Sequence, residues 1–153
     1  MTSDIRSASL EDLAAVEAIV ESAYARYVPI IGRKPGPMLD DYRALINEGH
    51  VYVLSDGGGI SAILVLIPEE HAMLLDNVAV SPHAQGPGHG RALIAFAERM
   101  ARERGLRAIR LYTNEAMTEN VALYGRLGFV ETHRLEEQGF RRVYMAKLLD
   151  TPS

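Results

Sequence analysis

The chain has 153 residues, of which 48% are apolar, and this is enough for one domain with a buried core. Its 16 basic and 20 acidic side chains give a net charge of −4, which disfavours nucleic acid as the main partner because phosphate binding usually requires a basic excess. The chain has no cysteine, so disulfides, thiolate zinc sites and a cysteine nucleophile are excluded, and no metal site is predicted.

Neither a signal peptide nor a membrane span is predicted. Met1 to Arg6 contain no apolar core of signal-peptide length, and the longest apolar run, Ile60 to Ile67, is too short to cross a bilayer. We therefore expect a soluble, cytoplasmic protein without membrane contact. The sequence shows no repeat and no domain boundary, so residues 1–153 are expected to form a single domain.

The N-terminal half is predicted to contain a short strand, two helices and a three-stranded meander. Ser9 is a candidate helix N-cap with Asp12 as its capping-box partner, and the apolar residues that follow have helical spacing. Prolines and glycines predict a loop over Val28 to Met38. In chain order we expect a strand at Ile5 to Ala8, a helix to about Ala25, a helix at Leu39 to Asn47, and strands at Val51 to Leu54, Ile60 to Ile67 and Met73 to Val80.

After Ser81-Pro82 the pattern changes to alternating helices and strands, which requires crossover helices and some parallel pairing. Gly105 and Gly128 are expected to end the two helices. The predicted elements are a helix at Arg91 to Arg104, a strand at Ala108 to Thr113, a helix at Thr118 to Leu127, and strands at Phe129 to Leu135 and Arg141 to Leu148. The fold class is therefore α/β, with a mixed, mostly antiparallel sheet of about seven strands flanked by about four helices.

A glycine-rich loop, Gln85-Gly86-Pro87-Gly88-His89-Gly90, separates the third meander strand from the helix near Arg91. Backbone N–H groups at a helix start are unpaired, and glycine allows close approach, so the segment predicts an anion site. Arg91 stands where the dinucleotide pattern G-x-G-x-x-G needs its third glycine, and no lysine completes G-x-x-x-x-G-K-[ST]. The spacing therefore excludes the usual dinucleotide and nucleoside triphosphate loops.

The loop resembles the [QR]-x-x-G-x-[GA] motif of the GCN5-related N-acetyltransferase (GNAT) family, with Gln85, Gly88 and Gly90 at the three defining positions. The resemblance extends upstream, where Leu75 to Pro82 looks like the family's central strand. It extends downstream to Tyr124-x-x-x-Gly128-Phe129. The family's asparagine has two candidates, Asn120 and Asn114, and neither falls at the family spacing.

The resemblance implies a GNAT domain that transfers an acyl group from acetyl-CoA to a primary amine by direct attack, without a metal. In the family, backbone groups of the central strand bind the thioester carbonyl and the pantetheine amides, and the loop binds the pyrophosphate. The residues thereby assigned to acetyl-CoA binding are Val78, Ala79, Val80, Gln85, Gly86, Pro87, Gly88, His89, Gly90, Arg91 and Asn120.

The chemistry also requires proton transfers. An unperturbed lysine-type amine has a pKa of about 10.4, so a base or a desolvating pocket must help it to lose its proton. Asp76, in the central strand, and Glu115, after the next strand, are the candidate bases, and a water chain without a single base is the alternative. Tyr124 is the candidate acid for the departing thiolate, although it could instead be a core aromatic.

The acceptor is left open as a small-molecule or peptide amine. The resemblance assigns acceptor selection to Tyr24 to Tyr42 and Leu135 to Tyr144, where Arg33-Lys34 favour an acidic acceptor and Glu136-Glu137 an amine-rich one. Homodimer formation is also left open. Two other functions compete with catalysis, namely a CoA-binding module without activity and a nucleotide-binding regulatory domain.

Overall fold

The computed structural model of the chain describes residues 4–57, 59–84 and 88–149. The strands in these ranges are β1 Asp4–Ser7, β2 Val51–Ser55, β3 Ile60–Pro68, β4 Met73–Val80, β5 Ala108–Asn114, β6 Val130–Glu137 and β7 Phe140–Leu148. The α-helices are α1 Leu13–Tyr24, α2 Val28–Ile31, α3 Tyr42–Asn47, α4 His89–Glu103 and α5 Thr118–Arg126. Across these ranges no helix combines the length and the apolar character that crossing a membrane requires.

The seven strands form one sheet in the order β1-β2-β3-β4-β5-β7-β6. Neighbouring strands pair antiparallel except β4 and β5, which run parallel because α4 crosses over between them. The predicted α/β fold with a mixed, mostly antiparallel sheet is therefore confirmed.

The segment Val28 to Met38, for which the sequence predicts a loop, contains the single turn α2 and a 3-10 turn at Gly36–Leu39. Pro29 does not prevent α2 because it lies in the first helical turn, where its missing N–H has no intrahelical partner. The prolines and glycines of this segment therefore shorten its helices and do not abolish them.

α3 begins at Tyr42 and not at Leu39, where the sequence predicts its start. The side chain of Asp41 accepts a hydrogen bond from the Ala44 N–H at 3.1 Å and caps the helix at this point. Asp40, the residue immediately before the cap, therefore lies outside the helix in an extended conformation, and its side chain can turn toward the sheet.

The core has two parts because helices cover both faces of the sheet. Along β3, Ile63 and Val65 pack on the α1 and α3 side, whereas Leu64 and Leu66 pack on the α4 and α5 side. Both faces of β3 are buried, so this strand is a continuous apolar run and not an alternating one.

Two irregularities of β4 create the space for a site. The register between β3 and β4 shifts so that Val65 opposes Asn77 and Leu66 opposes Leu75, which leaves Asp76 as the extra residue of a bulge. On its other edge β4 pairs with β5 only at Met73 and Leu74. Beyond Leu74 the two strands separate.

Candidate active site

Two clefts lie where β4 and β5 separate. The carboxyl cleft, named for Asp40 and Asp76, is formed by β4, β5 and the segment before α3. The glycine groove, named for Gly88 and Gly90, lies between the end of β4, the start of α4, and α5. The groove is the larger, with about 1280 Å³ of open space against about 710 Å³. The clefts meet, because four residues line both, namely Tyr24, Val78, Asn120 and Tyr124.

The glycine groove contains the start of α4, a 15-residue helix that begins at His89, two residues before the predicted position. Its N-cap is Gly88, whose φ of +134° is a conformation that L side chains rarely adopt, and no side chain caps the helix. The first N–H groups of α4 and the helix dipole therefore favour an anion here. Arg91 also lines the groove and adds a positive charge. This arrangement fits a substrate that carries phosphates.

The other residues of the glycine loop contribute less to the described groove. The His89 ring turns toward the β2–β3 connection, where its Nε2 lies 3.2 Å from Oδ2 of Asp56, so His89 contributes its backbone to the helix start. Three residues of the predicted loop lie outside the described ranges: Gln85, Gly86 and Pro87.

The end of β4 and the first turns of α5 form the walls of the groove. Val78, Ala79 and Val80 line it from β4, and Asn120 lines it from α5. The Val78 carbonyl accepts a hydrogen bond from the Tyr24 hydroxyl at 3.1 Å, which fastens α1 to this part of β4. The residues that the family resemblance assigned to acetyl-CoA and that the structure describes thus surround one groove, apart from the His89 ring.

Tyr124 lies at the junction of the two clefts. It is 6% exposed, and its ring packs edge-on against Phe129 with centroids 5.7 Å apart. Loss of solvent raises the pKa of the Tyr124 phenol well above its ordinary value, so the hydroxyl keeps its proton at neutral pH. Within the described residues this hydroxyl makes no hydrogen bond, and it is available to a ligand.

Asp76, the extra residue of the β4 bulge, lines the carboxyl cleft and hydrogen-bonds with the side chain of Asp40. Loss of solvent raises the pKa of both carboxyls, and together with the charge of Asp76 it raises the pKa of Asp40 to about 7. The hydrogen bond from Asp40 lowers the pKa of Asp76, and the positive charge of Arg142 lowers the pKa of both groups. Two carboxyls that share a site do not both ionise readily, so the pair retains one proton at pH values where an isolated aspartate has lost it.

A buried hydrogen-bond chain supports the clefts. Asn77, which is 3% exposed, accepts from the Tyr24 hydroxyl at 2.5 Å and donates to the Tyr42 hydroxyl at 3.0 Å, while Tyr42 donates to the Pro37 carbonyl. The chain fastens α1, α3 and the segment that carries Asp40 onto β4. Of the two tyrosines, Tyr24 lines both clefts and Tyr42 lines neither.

Glu115, the second candidate base, lies away from both clefts. Its carboxylate pairs with Arg134 at 3.3 Å and with Arg141 at 3.5 Å, in a cluster at the protein surface. Of the predicted proton-transfer groups, the structure therefore brings Asp76 and Tyr124 to the clefts and leaves Glu115 outside them.

Sequence reasoning missed Asp40 and Asn77. An amide within the apolar strand β4 must find partners when it is buried, and this signal could have identified Asn77. Asp40 follows a Pro-Gly-Pro segment and belongs to no motif, so only its contact with Asp76 identifies it.

Comparisons with known proteins agree with this geometry. Residues 47–131 match the model of the acetyltransferase (GNAT) domain family. A mycothiol acetyltransferase of Cellulomonas flavigena is 49% identical over 55 residues, and one of Arthrobacter sp. (strain FB24) is 46% identical over 52 residues. These matches cover 36% and 34% of this chain and 16% of each relative, so the chain matches a small part of the length of these curated relatives.

Solved structures resemble the chain over nearly its whole length. The ribosomal-protein-S18-alanine N-acetyltransferase of Escherichia coli has a TM-score of 0.78 at 22% identity, covering 99% of this chain and 97% of its own. The PaiA N-acetyltransferase of Thermoplasma acidophilum, solved with coenzyme A, has a TM-score of 0.76 at 16% identity, covering 97% and 99%. At these identities the likeness establishes the fold. With the family match it confirms the resemblance predicted from the glycine loop, and the chain belongs to the GNAT acetyltransferase family.

Proposed function

We propose that the chain is an N-acetyltransferase that moves an acetyl group from acetyl-CoA to a primary amine by direct attack. The observation that carries this proposal is the position of Tyr124 at the junction of two clefts of different chemistry. One cleft fits a phosphate-bearing donor, and the other contains carboxyl groups suited to an amine.

The glycine groove is the proposed donor site. Acetyl-CoA supplies a thioester, whose acyl group is activated for transfer to an amine. The first N–H groups of α4 and the Arg91 guanidinium would hold its phosphates, because both present positive charge at a helix start. Backbone groups of β4 near Val78 would hold the pantetheine arm and direct the thioester toward Tyr124.

The Asp40–Asp76 pair is the proposed base. An amine can attack only after losing a proton, and the ionised pair can accept it directly or through one water molecule. A base whose pKa lies near neutrality is better suited to this role than an ordinary aspartate, which binds a proton too weakly. Asp76 is the member of the pair on β4 itself, and Asp40 assists it.

Tyr124 is the proposed acid. Its phenol is protonated at neutral pH and lies where the donor and acceptor clefts meet. The low solvent exposure that keeps the proton on the phenol also destabilises an unprotonated thiolate at the same place. A proton from Tyr124 would relieve this charge as the C–S bond breaks.

The proposal can be tested with Tyr124→Phe, measured by release of free CoA in the presence of amines and by calorimetry with acetyl-CoA. We expect kcat to fall by about 10²-fold or more, which is the usual contribution of a positioned acid, while the Kd for acetyl-CoA changes little. Tyr52→Phe is the matched control, because Tyr52 packs against Phe96 and lines neither cleft.

Two results would contradict the proposal in different ways. Unchanged kcat in Tyr124→Phe would remove Tyr124 from the mechanism. Tight binding of acetyl-CoA without CoA release for any amine would instead identify a binding module without catalysis.

A further inference from the structure

Arg142 places a fixed positive charge in the carboxyl cleft. Its guanidinium carbon lies 4.7 Å from the ring centroid of Tyr112 and 5.5 Å from that of Phe140, and its side chain is 17% exposed. Contacts with two aromatic faces hold the planar guanidinium without using its N–H donors. Arg142 lines the same cleft as Asp40 and Asp76.

The protein uses only part of the hydrogen-bonding capacity of Arg142, whose side chain hydrogen-bonds with Tyr144 and has five N–H donors in all. The nearest carboxylate oxygen is Oε1 of Glu137 at 3.7 Å, which is beyond hydrogen-bond distance, and Glu137 already accepts from the Tyr144 hydroxyl. A guanidinium fixed in this way can donate two parallel hydrogen bonds to a carboxylate. Arg142 therefore has the chemistry of a carboxylate receptor inside the proposed acceptor cleft.

The cleft thus offers both halves of a binding site for a zwitterion. The Asp40–Asp76 pair attracts an ammonium group, and Arg142 attracts a carboxylate. The two sites lie close enough to interact, because the charge of Arg142 lowers the pKa of both aspartates against the effect of burial. A molecule that carries an amine and a carboxylate a few bonds apart satisfies both sites, whereas a simple amine uses only the carboxyl pair.

The outer wall of the cleft favours a small acceptor. Arg33, on the segment before α3, stacks on Phe140 with 3.6 Å between its guanidinium carbon and the ring centroid, and donates to the Gln138 carbonyl. This contact joins the segment to the β6–β7 turn beside Arg142. Gly36 of the same segment lies close to Arg142, because a Cβ added to Gly36 would be 3.8 Å from an Nη atom of the guanidinium. Because Phe140 lines the cleft, this contact fixes one of its walls, which favours a compact acceptor over a long peptide.

We infer that the acceptor is a free amino acid or a similarly small amine that carries a carboxylate, with its carboxylate on Arg142 and its amine toward Asp76. This inference rests on the proposed function. In the reaction the amine nitrogen forms a bond to the acetyl carbonyl carbon and the C–S bond breaks. Before attack the ammonium group gives its first proton to the Asp40–Asp76 pair. The departing sulfur receives a proton from Tyr124, and the second proton of the nitrogen restores the Tyr124 phenol. The products are an N-acetyl amino acid and CoA.

The test compares acceptors on the unaltered full chain with acetyl-CoA. The panel contains the proteinogenic amino acids, their carboxamides, and short C-terminally amidated peptides with the same N-terminal residues. We expect the best free amino acid to exceed its amide at least about 10-fold in kcat/KM. In Arg142→Gln the KM for that amino acid should rise at least about 10-fold, while the amide should be unaffected. Arg141→Gln is the matched control, because the Arg141 side chain is 73% exposed and pairs with Glu115 outside the cleft.

The outcomes separate this inference from the proposed function. If amides or peptides are acetylated as well as the free amino acids, or better, acetyl transfer stands and the inference is overturned. Equal effects of Arg142→Gln on an amino acid and its amide also overturn it. If no compound on the panel is acetylated although acetyl-CoA binds, the inference is overturned, and the proposed function falls with it only when no other primary amine releases CoA. The comparison of amino acids with amides needs no variant, so a misfolded Arg142→Gln protein does not prevent a decision.

Discussion

The side chains of Asp40 and Asp76 hydrogen-bond with one another across the carboxyl cleft, although one precedes α3 and the other is the bulged residue of β4. Because the pair shares a proton, it changes its charge near neutral pH, where an isolated aspartate would already be ionised. This relationship gives the proposed base a measurable signature.

The first prediction concerns the pH dependence of kcat/KM. The base works only after the pair has lost its shared proton, so activity should fall as pH falls through the raised pKa, which lies near 7 for Asp40. In Asp40→Asn the carboxyl whose pKa lies near 7 is gone and Asp76 titrates alone, so the acidic limb should move to lower pH. Asp76→Asn should reduce kcat/KM by about 10²- to 10⁴-fold.

Asp41→Asn is the control for this experiment, because it removes the same charge from the adjacent residue. Asparagine caps a helix as well as aspartate does, so the cap on the Ala44 N–H is retained. An acidic limb that moves equally in Asp40→Asn and Asp41→Asn would show that the shift reflects general charge and not the carboxyl pair.

Much of the fold was predictable because it depends on local patterns. The strand predicted at Met73 to Val80 is β4 with the same bounds, and Gly105 and Gly128 end their helices with φ of +74° and +99°. The spacing of apolar residues and a glycine after the last helical turn are local patterns, because each is recognised within a few residues of sequence. The family motif in turn indicated the strand and the helix start that border the glycine groove.

The acceptor side could not be predicted in the same way, because its contacts join distant segments. Asp40 belongs to no motif, and its importance depends on the bulge that turns Asp76 into the cleft. Arg142 lies within the hairpin assigned to acceptor selection, but its function depends on Tyr112 from β5 and Phe140 at the start of β7. Neither periodicity nor spacing contains this information.

The second prediction concerns the buried amide of Asn77. Asn77→Ala removes hydrogen bonds to Tyr24 and Tyr42 and leaves a small cavity, so the free energy of unfolding should fall by about 2–3 kcal/mol. Urea denaturation measures this loss. Asn47→Ala, at the exposed end of α3, is the control and should change stability by less than about 0.5 kcal/mol. A similar small change in both variants would show that the hydrogen-bond chain is not a stabilising feature.

The third prediction compares two glycines with left-handed backbone. Gly49→Ala, at φ +79° with open space around it, should cost about 1 kcal/mol of unfolding free energy from backbone strain alone. At Gly128 the added Cβ would also lie 3.1 Å from Cε of Lys147, which donates to the Leu127 carbonyl at 2.8 Å and pairs with Glu98 at 3.2 Å. Gly128→Ala should therefore cost about 1 kcal/mol more in urea denaturation. Equal costs would mean that Lys147 moves aside freely.

The fourth prediction concerns the contact between Arg33 and Phe140, a residue that lines the carboxyl cleft. Arg33→Ala removes a cation–π contact and a hydrogen bond to the Gln138 carbonyl, so the segment before α3 should lose its fixed position. We expect KM for the acceptor to rise about 5-fold, corresponding to about 1 kcal/mol, while KM for acetyl-CoA stays unchanged because the glycine groove has other walls. Lys34→Ala is the matched control for loss of one adjacent positive charge.

A double-mutant cycle with Phe140→Leu isolates this pair from other effects of each substitution. If Arg33 acts through Phe140, Arg33→Ala should have little further effect on acceptor KM once the ring is absent. Additive effects would assign the two residues separate roles at the cleft. A rise in KM for acetyl-CoA equal to that for the acceptor would instead mean that Arg33 stabilises the whole site, since a contact confined to the acceptor wall affects only the substrate that the wall encloses.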